Sequence, residues 1–333
     1  MSVKTYIIAE VGGNHDGDLA KAIELVKQAK LAGANAVKFQ HYKAEKLVLP
    51  SMPSVPLARK KFKKQIDRFK SLELSFENTL KIISECRKQK IDFLTTAYDQ
   101  SLLSKFEKYM KFIKIGSGDL THHKLIKDAV SYKKPIILST GMATYDEIKK
   151  AILLIPSKQR ILLHCVSIYP LPHKKVNILN IKRLMNLYKN TPVGYSDHTI
   201  GYDACLLAVS LGAKFIEKHF TLNSKLDYGD HSLSLDPKEF KKMTDKIKII
   251  HEMLGTPEKP ISGEEKFKKF LRRGIYANKN LSKGKKINEK DFDLLRPENS
   301  ISAKEFKKIL NKRLIKNIKK GQELKKIFLD RTS

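Results

Sequence analysis

The sequence predicts a (β/α)8 barrel followed by a small β-rich domain, and two observations carry this prediction. Short apolar runs alternate with longer amphipathic stretches over about 250 residues, which is the length of eight strand–helix units. The alternation ends near Leu254, where TPEKPISGEEK combines prolines, glycine and charge as a linker does. A doubly wound open sheet shares the alternation, but it usually has fewer units, and no GxGxxG follows the first predicted strand.

The predicted strands are short apolar runs at 5–11, 36–40, 92–98, 112–117, 135–140, 160–165, 191–197 and 215–221. Between them, apolar residues spaced three or four apart predict helices, for example over 19–33, 77–89, 145–155 and 204–213. Gly33 and Gly212 are typical helix stops. We place the barrel at 1–255, a linker at 256–271 and the β-rich domain at 272–333.

One long segment interrupts the regular alternation of the barrel. Residues 51–74 bring prolines and a basic run between the second predicted strand and its helix. In a barrel, such a loop lies at the catalytic mouth. It is therefore either a lid over the site or a passive surface insertion.

Composition limits the class of protein. The 333 residues are 41% hydrophobic, which excludes a disordered or fibrous chain. There are 66 Lys and Arg against 35 Asp and Glu, so the net charge of +31 indicates a lysine-rich solvated surface or anionic partners such as nucleic acid. The basic residues are scattered over every predicted helix, which disfavours nucleic acid.

We predict a soluble cytoplasmic protein from three observations. The three cysteines form no CxxC pair, and the first residues do not resemble a signal peptide. No apolar run approaches the ~20 residues that a membrane span needs.

Polar side chains stand at the end of every predicted strand. Because the carboxyl ends of barrel strands meet at one rim, we expect an active site there. Two lysines, Lys38 and Lys114, accompanied by the hydroxyls of Thr95, Ser117 and Ser139, suit a phosphate, although solvated or salt-bridged lysines would give the same pattern.

A second group at this rim suits a divalent metal ion. His198 and His219 lie near the ends of the seventh and eighth predicted strands, and Glu217 shares the strand face of His219. Two imidazoles beside a carboxylate can hold an ion with open coordination positions. The alternative is a structural pair of hydrogen-bonded histidines.

Several strings together resemble the sialic acid synthase family, which condenses phosphoenolpyruvate with an N-acylmannosamine or a related amino sugar. They include IIAEVGGNHDGD (7–18), IKIGSGDLTHH (113–123), VGYSDHTIG (193–201) and IEKHFTL (216–222). RRGIYA and LLRPENSIS are similar to the family's C-terminal antifreeze-like (SAF) domain. The resemblance implies a transferase that makes a nonulosonic acid, uses Mn²⁺ or Mg²⁺, and forms a domain-swapped homodimer.

The resemblance also implies roles for individual residues. His198 and His219 would bind the metal, and Glu217, Asp230 and Glu10 would be the catalytic carboxylates. Arg296 would reach from the SAF domain into the partner's site. The implied substrate-binding residues are Lys38, Thr95, Lys114, Ser117, Asp119, Ser139, Ser167, Tyr169 and Arg296.

Five departures from the family pattern leave the amino sugar open. TTAY stands in place of TPF, SGD in place of SGE, YGDH in place of GPDH, RPE in place of RPG, and Ser167 in place of an asparagine or threonine. The alternative functions are another phosphoenolpyruvate-using sugar-acid synthase, a non-catalytic sugar-binding relative and a basic nucleic-acid-binding protein.

Overall fold

The computed structural model describes residues 4–55, 58–59, 61–259 and 261–330. The chain divides into two compact units, 1–255 and 256–333. Among the described residues, there is no helix that is both long and apolar enough to cross a membrane.

The first unit is a closed barrel of eight parallel strands, so the predicted fold is confirmed. Strand β1 pairs with both β2 and β8, which closes the sheet on itself. The strands are β1 (Tyr6–Gly12), β2 (Ala36–His41), β3 (Asp92–Ala97), β4 (Ile113–Ile115), β5 (Ile136–Ser139), β6 (Arg160–Cys165), β7 (Val193–Asp197) and β8 (Phe215–His219). β4 is shorter than predicted because the chain enters a 3-10 turn at Ser117–Asp119.

Helices surround the strands. They are α1 (Leu19–Leu31), α2 (Ala44–Leu47), α3 (Gln65–Leu72), α4 (Phe76–Gln89), α5 (Gln100–Phe106), α6 (His123–Ser131), α7 (Tyr145–Leu153), α8 (Asn180–Leu187), α9 (Asp203–Ser210) and α10 (Pro237–Leu254). Side-chain caps start several of them: the Asp18 carboxylate accepts from the first turn of α1, and Thr144 with Glu147 forms a capping box on α7. After α1 and α9, Gly33 and Gly212 adopt positive φ, as their places in the sequence predict.

The core lies inside the barrel and between its strands and helices. Strands covered on both faces are apolar in continuous runs, as in β5 and in β6, where every residue after Arg160 is buried. Successive side chains still point to opposite faces. Of two adjacent polar residues at a strand end, one therefore faces the barrel axis and the other faces the helices.

The insertion at 51–74 is folded back on itself where the structure describes it. Pro53 forms an antiparallel bridge with Lys64, and α3 follows immediately. The side-chain oxygen of Gln65 accepts hydrogen bonds from the Ser54 hydroxyl and the Val55 amide. These bonds fix α3 in the loop that follows β2, at the carboxyl end of the barrel.

The second unit has its own apolar core, which includes Ile275, Ile301, Leu314 and Leu324. Its regular elements are α11 (Glu265–Leu271), β9 (Gly274–Ala277), β10 (Phe292–Leu295) and α12 (Phe306–Ile309), with β9 and β10 antiparallel. α11 lies in the segment expected to be a linker. Its sequence, EKFKKFL, is rich in helix-forming residues, and all of them are exposed.

Candidate active site

A cavity of about 730 Å³ opens at the carboxyl ends of the strands. Most of the predicted site residues line it: Glu10, Lys38, Lys114, Ser117, Ser139, Ser167, Tyr169, His198, Glu217, His219 and Asp230. The insertion lines it too, through Met52, Val55, Gln65, Arg68 and Phe69. Of the two interpretations of residues 51–74, the structure therefore favours a segment that covers the mouth.

The barrel register brings four buried charges together. Glu10 and Lys38 are register partners on β1 and β2, and Lys38 Nζ lies 2.7 Å from Glu10 Oε2. Lys38 Nζ is also 3.7 Å from Glu217 Oε2, and Lys114 Nζ is 3.9 Å from Glu217 Oε1. Two ammonium groups thus share two carboxylates. We call Glu10, Lys38, Lys114 and Glu217 the charge cluster.

The two carboxylates of the charge cluster differ in proton affinity. Burial alone would raise the pKa of Glu217, but the ammonium groups of Lys114 and Lys38 outweigh it and hold this pKa at about 2. Burial raises the pKa of Glu10 despite the opposing charge of Lys38, and the negative charge of Glu217 adds to the rise. The pKa values of the two carboxylates are therefore shifted in opposite directions, and Glu10 has the higher proton affinity of the two.

Hydroxyl groups surround the two lysines. Lys114 donates to the Ser139 hydroxyl at 2.8 Å, and Lys38 donates to the Thr96 hydroxyl at 3.3 Å. The backbone amide of Gly141 donates to Ser117 Oγ at 3.0 Å, and a side chain at Gly141 would lie only 2.4 Å from Ser167 Oγ. Two cations with several small hydroxyl donors form a suitable pocket for an anion.

The prediction that Thr95 faces the mouth is wrong. Its hydroxyl contacts His41 Nδ1 at 2.7 Å and donates to the Phe39 carbonyl, so it belongs to the layer between strands and helices. The other ring nitrogen of His41 is bonded to Thr79 of α4. Because side chains alternate along β3, the neighbouring Thr96 faces the cavity and supplies the hydroxyl.

Two further predicted residues do not line the described cavity. Asp119 lies in the turn after β4; burial raises the pKa of its carboxyl, and its Oδ2 has no hydrogen-bond partner within the described part of the chain. Arg296 is exposed in the second unit, just before a cis proline. Its role at a partner's site stays a prediction.

The two histidines fit an open metal site. Their ring centroids are 5.3 Å apart, and His198 Nδ1 donates to the Val166 carbonyl at 2.8 Å, so in the neutral ring the free lone pair is on Nε2. Burial holds the pKa of His219 well below its usual range, so its ring is neutral. Its buried Nδ1 lacks a hydrogen-bond partner among the described residues and lies 3.9 Å from Asp230 Oδ2.

These two rings would supply only part of a coordination shell. Within the described residues, there is no group of three or more His, Cys, Asp or Glu side chains arranged to hold a metal. The remaining ligands of an ion at His198 and His219 would be water or substrate oxygens.

Sequence reasoning did not single out Arg68, Tyr98 and Cys165, which also line the cavity. Arg68 lies 3.8 Å from Asp230 and is one of many basic residues in the insertion, so the sequence does not distinguish it. Gln40, one of the polar residues at the strand ends, also lines the cavity, and its side-chain amide donates to Glu10 Oε1 at 2.9 Å.

A second ion pair lies behind the histidines, on the helix-facing side of the barrel. Lys218 Nζ is 2.7 Å from Asp197 Oδ2, and both side chains are completely buried. Asp197 also accepts from the Tyr195 hydroxyl and the Thr199 amide. Lys218 and Asp197 precede His219 and His198 in the chain, so this pair ties together the two strand ends that carry the histidines.

A family model described as the NeuB family matches residues 25–259, and a SAF domain model matches residues 272–326. The chain belongs to the NeuB family. Its relatives include the N,N'-diacetyllegionaminic acid synthase of Legionella pneumophila, 37% identical over 97% of this chain and 94% of the relative. The pseudaminic acid synthase of Campylobacter jejuni is 30% identical over 97% and 96% of the two chains.

Among solved structures, the N-acetylneuraminic acid (sialic acid) synthetase of Leptospira borgpetersenii, in complex with citrate, has the same fold as this NeuB-family chain. The TM-score is 0.70 and the identity 33%, with 79% of this chain and 90% of the other covered.

We predict that Lys218→Met lowers the free energy of unfolding by about 3–5 kcal/mol, because it leaves the buried carboxylate of Asp197 unpaired. Urea denaturation followed by circular dichroism measures the loss. Lys150→Met removes an exposed i,i+4 pair with Asp146 and should leave the free energy of unfolding nearly unchanged, because solvent screens this pair. Equal effects of the two substitutions would contradict the structural role of the buried pair.

Proposed function

We propose that this NeuB-family chain is a nonulosonic acid synthase that condenses phosphoenolpyruvate with an open-chain N-acylated amino sugar and releases phosphate. The observation that carries the proposal is the charge cluster beside the two histidines in one cavity. The relatives' names support the product class. The hydroxyl-lined lysines support a phosphorylated substrate.

In this proposal, Lys38 and Lys114 bind the phosphate group of phosphoenolpyruvate, and Ser139 and Thr96 orient it. C3 of the enol attacks the sugar aldehyde, and water adds to C2 as positive charge develops there. In the resulting hemiketal phosphate, the C2 hydroxyl gives its proton to the leaving phosphate and becomes the ketone as the C2–O bond to phosphate breaks. The lysines stabilise the charge on the leaving phosphate because they are already fixed in a buried site.

Glu217, Glu10 and Asp230 have different roles in this proposal. Glu217 is ionised, so it can stabilise the positive charge at C2 and accept a proton from the attacking water. Glu10, whose pKa is raised, is the better proton donor toward the former aldehyde oxygen. Asp230 stands at the entrance beside His219 and Arg68, where it can bind sugar hydroxyls or take the place of Glu217 as the base.

His198 and His219 would hold a divalent cation, Mn²⁺ or Mg²⁺. When bound, such an ion supplies Lewis-acid activation of the sugar aldehyde. The contact between His198 and the Val166 carbonyl fixes one ring in the tautomer that a metal ligand needs.

The test is phosphate release from phosphoenolpyruvate with Mn²⁺ and a panel of N-acylated amino sugars. We expect release with at least one sugar and its loss when a chelator is added. His219→Ala should weaken Mn²⁺ binding, measured by calorimetry, by more than about 100-fold, because it removes a ligand. The exposed His123→Ala is the control and should bind normally. Turnover that resists both chelator and His219→Ala would overturn the metal assignment.

The two adjacent threonines give a sharp comparison. Thr96→Val should raise the KM for phosphoenolpyruvate roughly tenfold or more, because it removes a hydroxyl beside the Lys38 ammonium. Thr95→Val should leave that KM unchanged and lower the free energy of unfolding by about 1–3 kcal/mol, because His41 loses a buried partner. The opposite pattern would contradict the strand orientation described above.

We also propose a domain-swapped homodimer in which Arg296 completes the partner's site. Arg296→Ala should then lose turnover while remaining folded. Mixing it with His219→Ala under conditions that exchange subunits should restore up to about a quarter of wild-type activity, since half of the dimers contain one intact site. An inactive mixture, with exchange verified by mass spectrometry, would argue against the swap.

A further inference from the structure

Tyr98 brings a hydroxyl group to the cavity at the barrel mouth, and no step of the proposed reaction uses it. Tyr98 follows β3 in the string TTAY, where the family pattern TPF has a phenylalanine. The cavity that Tyr98 lines is the one that His198 and His219 line. This chain therefore has a polar group at its candidate site that the family pattern does not supply.

The backbone of β3 fixes the height of Tyr98 in the cavity. The Tyr98 amide donates to the His41 carbonyl at 3.1 Å, so the ladder between β2 and β3 continues one residue beyond Ala97. Residues two apart on a strand share a face, and Thr96 and Tyr98 both line the cavity. Because a strand rises about 3.3 Å per residue, Tyr98 is about 7 Å nearer to the entrance than Thr96, whose hydroxyl lies beside Lys38.

Aromatic packing restricts the orientation of the Tyr98 ring. Its centroid is 5.9 Å from the centroid of Tyr42, with an angle of 69° between the ring planes. Tyr42 is buried, and its own centroid is 4.8 Å from that of Phe69 in α3. Edge-to-face contacts of this kind favour a defined ring orientation. The Tyr98 hydroxyl is therefore held in place before a substrate binds.

The Tyr98 hydroxyl has no hydrogen-bond partner among the residues that the structure describes. Burial raises the pKa of this phenol above its usual range, and four carboxylates raise it further: Glu10, Asp119, Asp230 and Glu217. The phenol therefore keeps its proton at neutral pH and is available as a hydrogen-bond donor. A donor in such a place costs free energy unless water or a bound molecule accepts from it.

The surroundings of the phenol favour the sugar over phosphoenolpyruvate as its partner. The lysines that bind phosphate in the proposed reaction contact hydroxyls deeper in the cavity, those of Thr96 and Ser139. The carboxylates around the phenol would repel a second anionic group placed beside it. A sugar hydroxyl is neutral, and it can accept from Tyr98 while it donates to a carboxylate of the same cavity, such as Asp230.

We infer that the Tyr98 hydroxyl donates a hydrogen bond to a hydroxyl group of the acceptor sugar and thereby helps to select the acceptor. The inference rests on the proposed function. A site built to hydrogen-bond a hydroxyl rejects an analogue that lacks it, because the protein group is then left without a partner. A phenylalanine at this place has no such contact and would not distinguish the two sugars.

Tyr98→Phe removes the hydroxyl and keeps the ring. The acceptor probes are N-acetylmannosamine and 2,4-diacetamido-2,4,6-trideoxymannose, and KM values are measured with the one that gives faster phosphate release. We expect the KM for this sugar to rise at least about fivefold, because it loses a hydrogen bond. The KM for phosphoenolpyruvate should change less than about twofold. The urea denaturation midpoint should stay unchanged, because the hydroxyl has no partner within the described residues.

Analogues of the same sugar that each lack one hydroxyl test the contact directly. With the wild type, the loss of the partner hydroxyl should lower kcat/KM at least about fivefold. With Tyr98→Phe, the same analogue should show almost no further loss, whereas for the other analogues the two effects should add. Additive effects with every analogue would overturn the inference, since a purely structural role of Tyr98 would reduce activity with all of these sugars alike.

Tyr145→Phe is the matched control. The Tyr145 hydroxyl donates to Asn180 Oδ1 at 2.6 Å, and Tyr145 does not line the cavity, so both KM values should stay unchanged. An unchanged sugar KM in Tyr98→Phe, or an equal rise of both KM values, overturns the inference and leaves the proposed function standing. If the wild type releases no phosphate with either sugar, the proposed function fails and the inference fails with it.

Discussion

Two buried ammonium groups share two buried carboxylates at the mouth of this barrel, and the other parts of the site are arranged around them. A buried charge is tolerated only when its partner is close, so Glu10, Lys38, Lys114 and Glu217 depend on one another. The strand register places them: Glu10 is level with Lys38 on one side and with His219 on the other. The closure of the barrel therefore links the charge cluster to the histidines.

A second pair of buried charges lies on the helix-facing side of β7 and β8. Lys218 and Asp197 alternate with the residues that face the mouth, and they carry a second buried ion pair toward the helices. Each of them precedes a histidine in the chain, so this buried network also restrains the strand ends that carry the two rings. The family strings SDHT and EKHF thus each contain one residue for the mouth and one for its support.

The sequence was sufficient to predict the barrel, its strands and most of the polar residues that meet at the mouth. The sequence did not predict toward which face adjacent polar side chains point. TTAY carries two threonines in succession, so polarity does not reveal that Thr96 faces inward and Thr95 outward. Arg68 is one basic residue among many in the insertion, and only the tertiary fold brings it to Asp230. The unequal pKa values of Glu10 and Glu217 also arise from packing, which composition does not encode.

The insertion after β2 is separate from the strands that carry the charge cluster. Its α3 contacts the mouth through side chains such as Arg68 and Phe69, while the hydrogen bonds of Gln65 hold the loop to itself. Changes in this one segment can reshape the entrance without disturbing the barrel register. Members of a family built in this way can therefore differ in what the entrance admits while they keep the same buried charges beneath it.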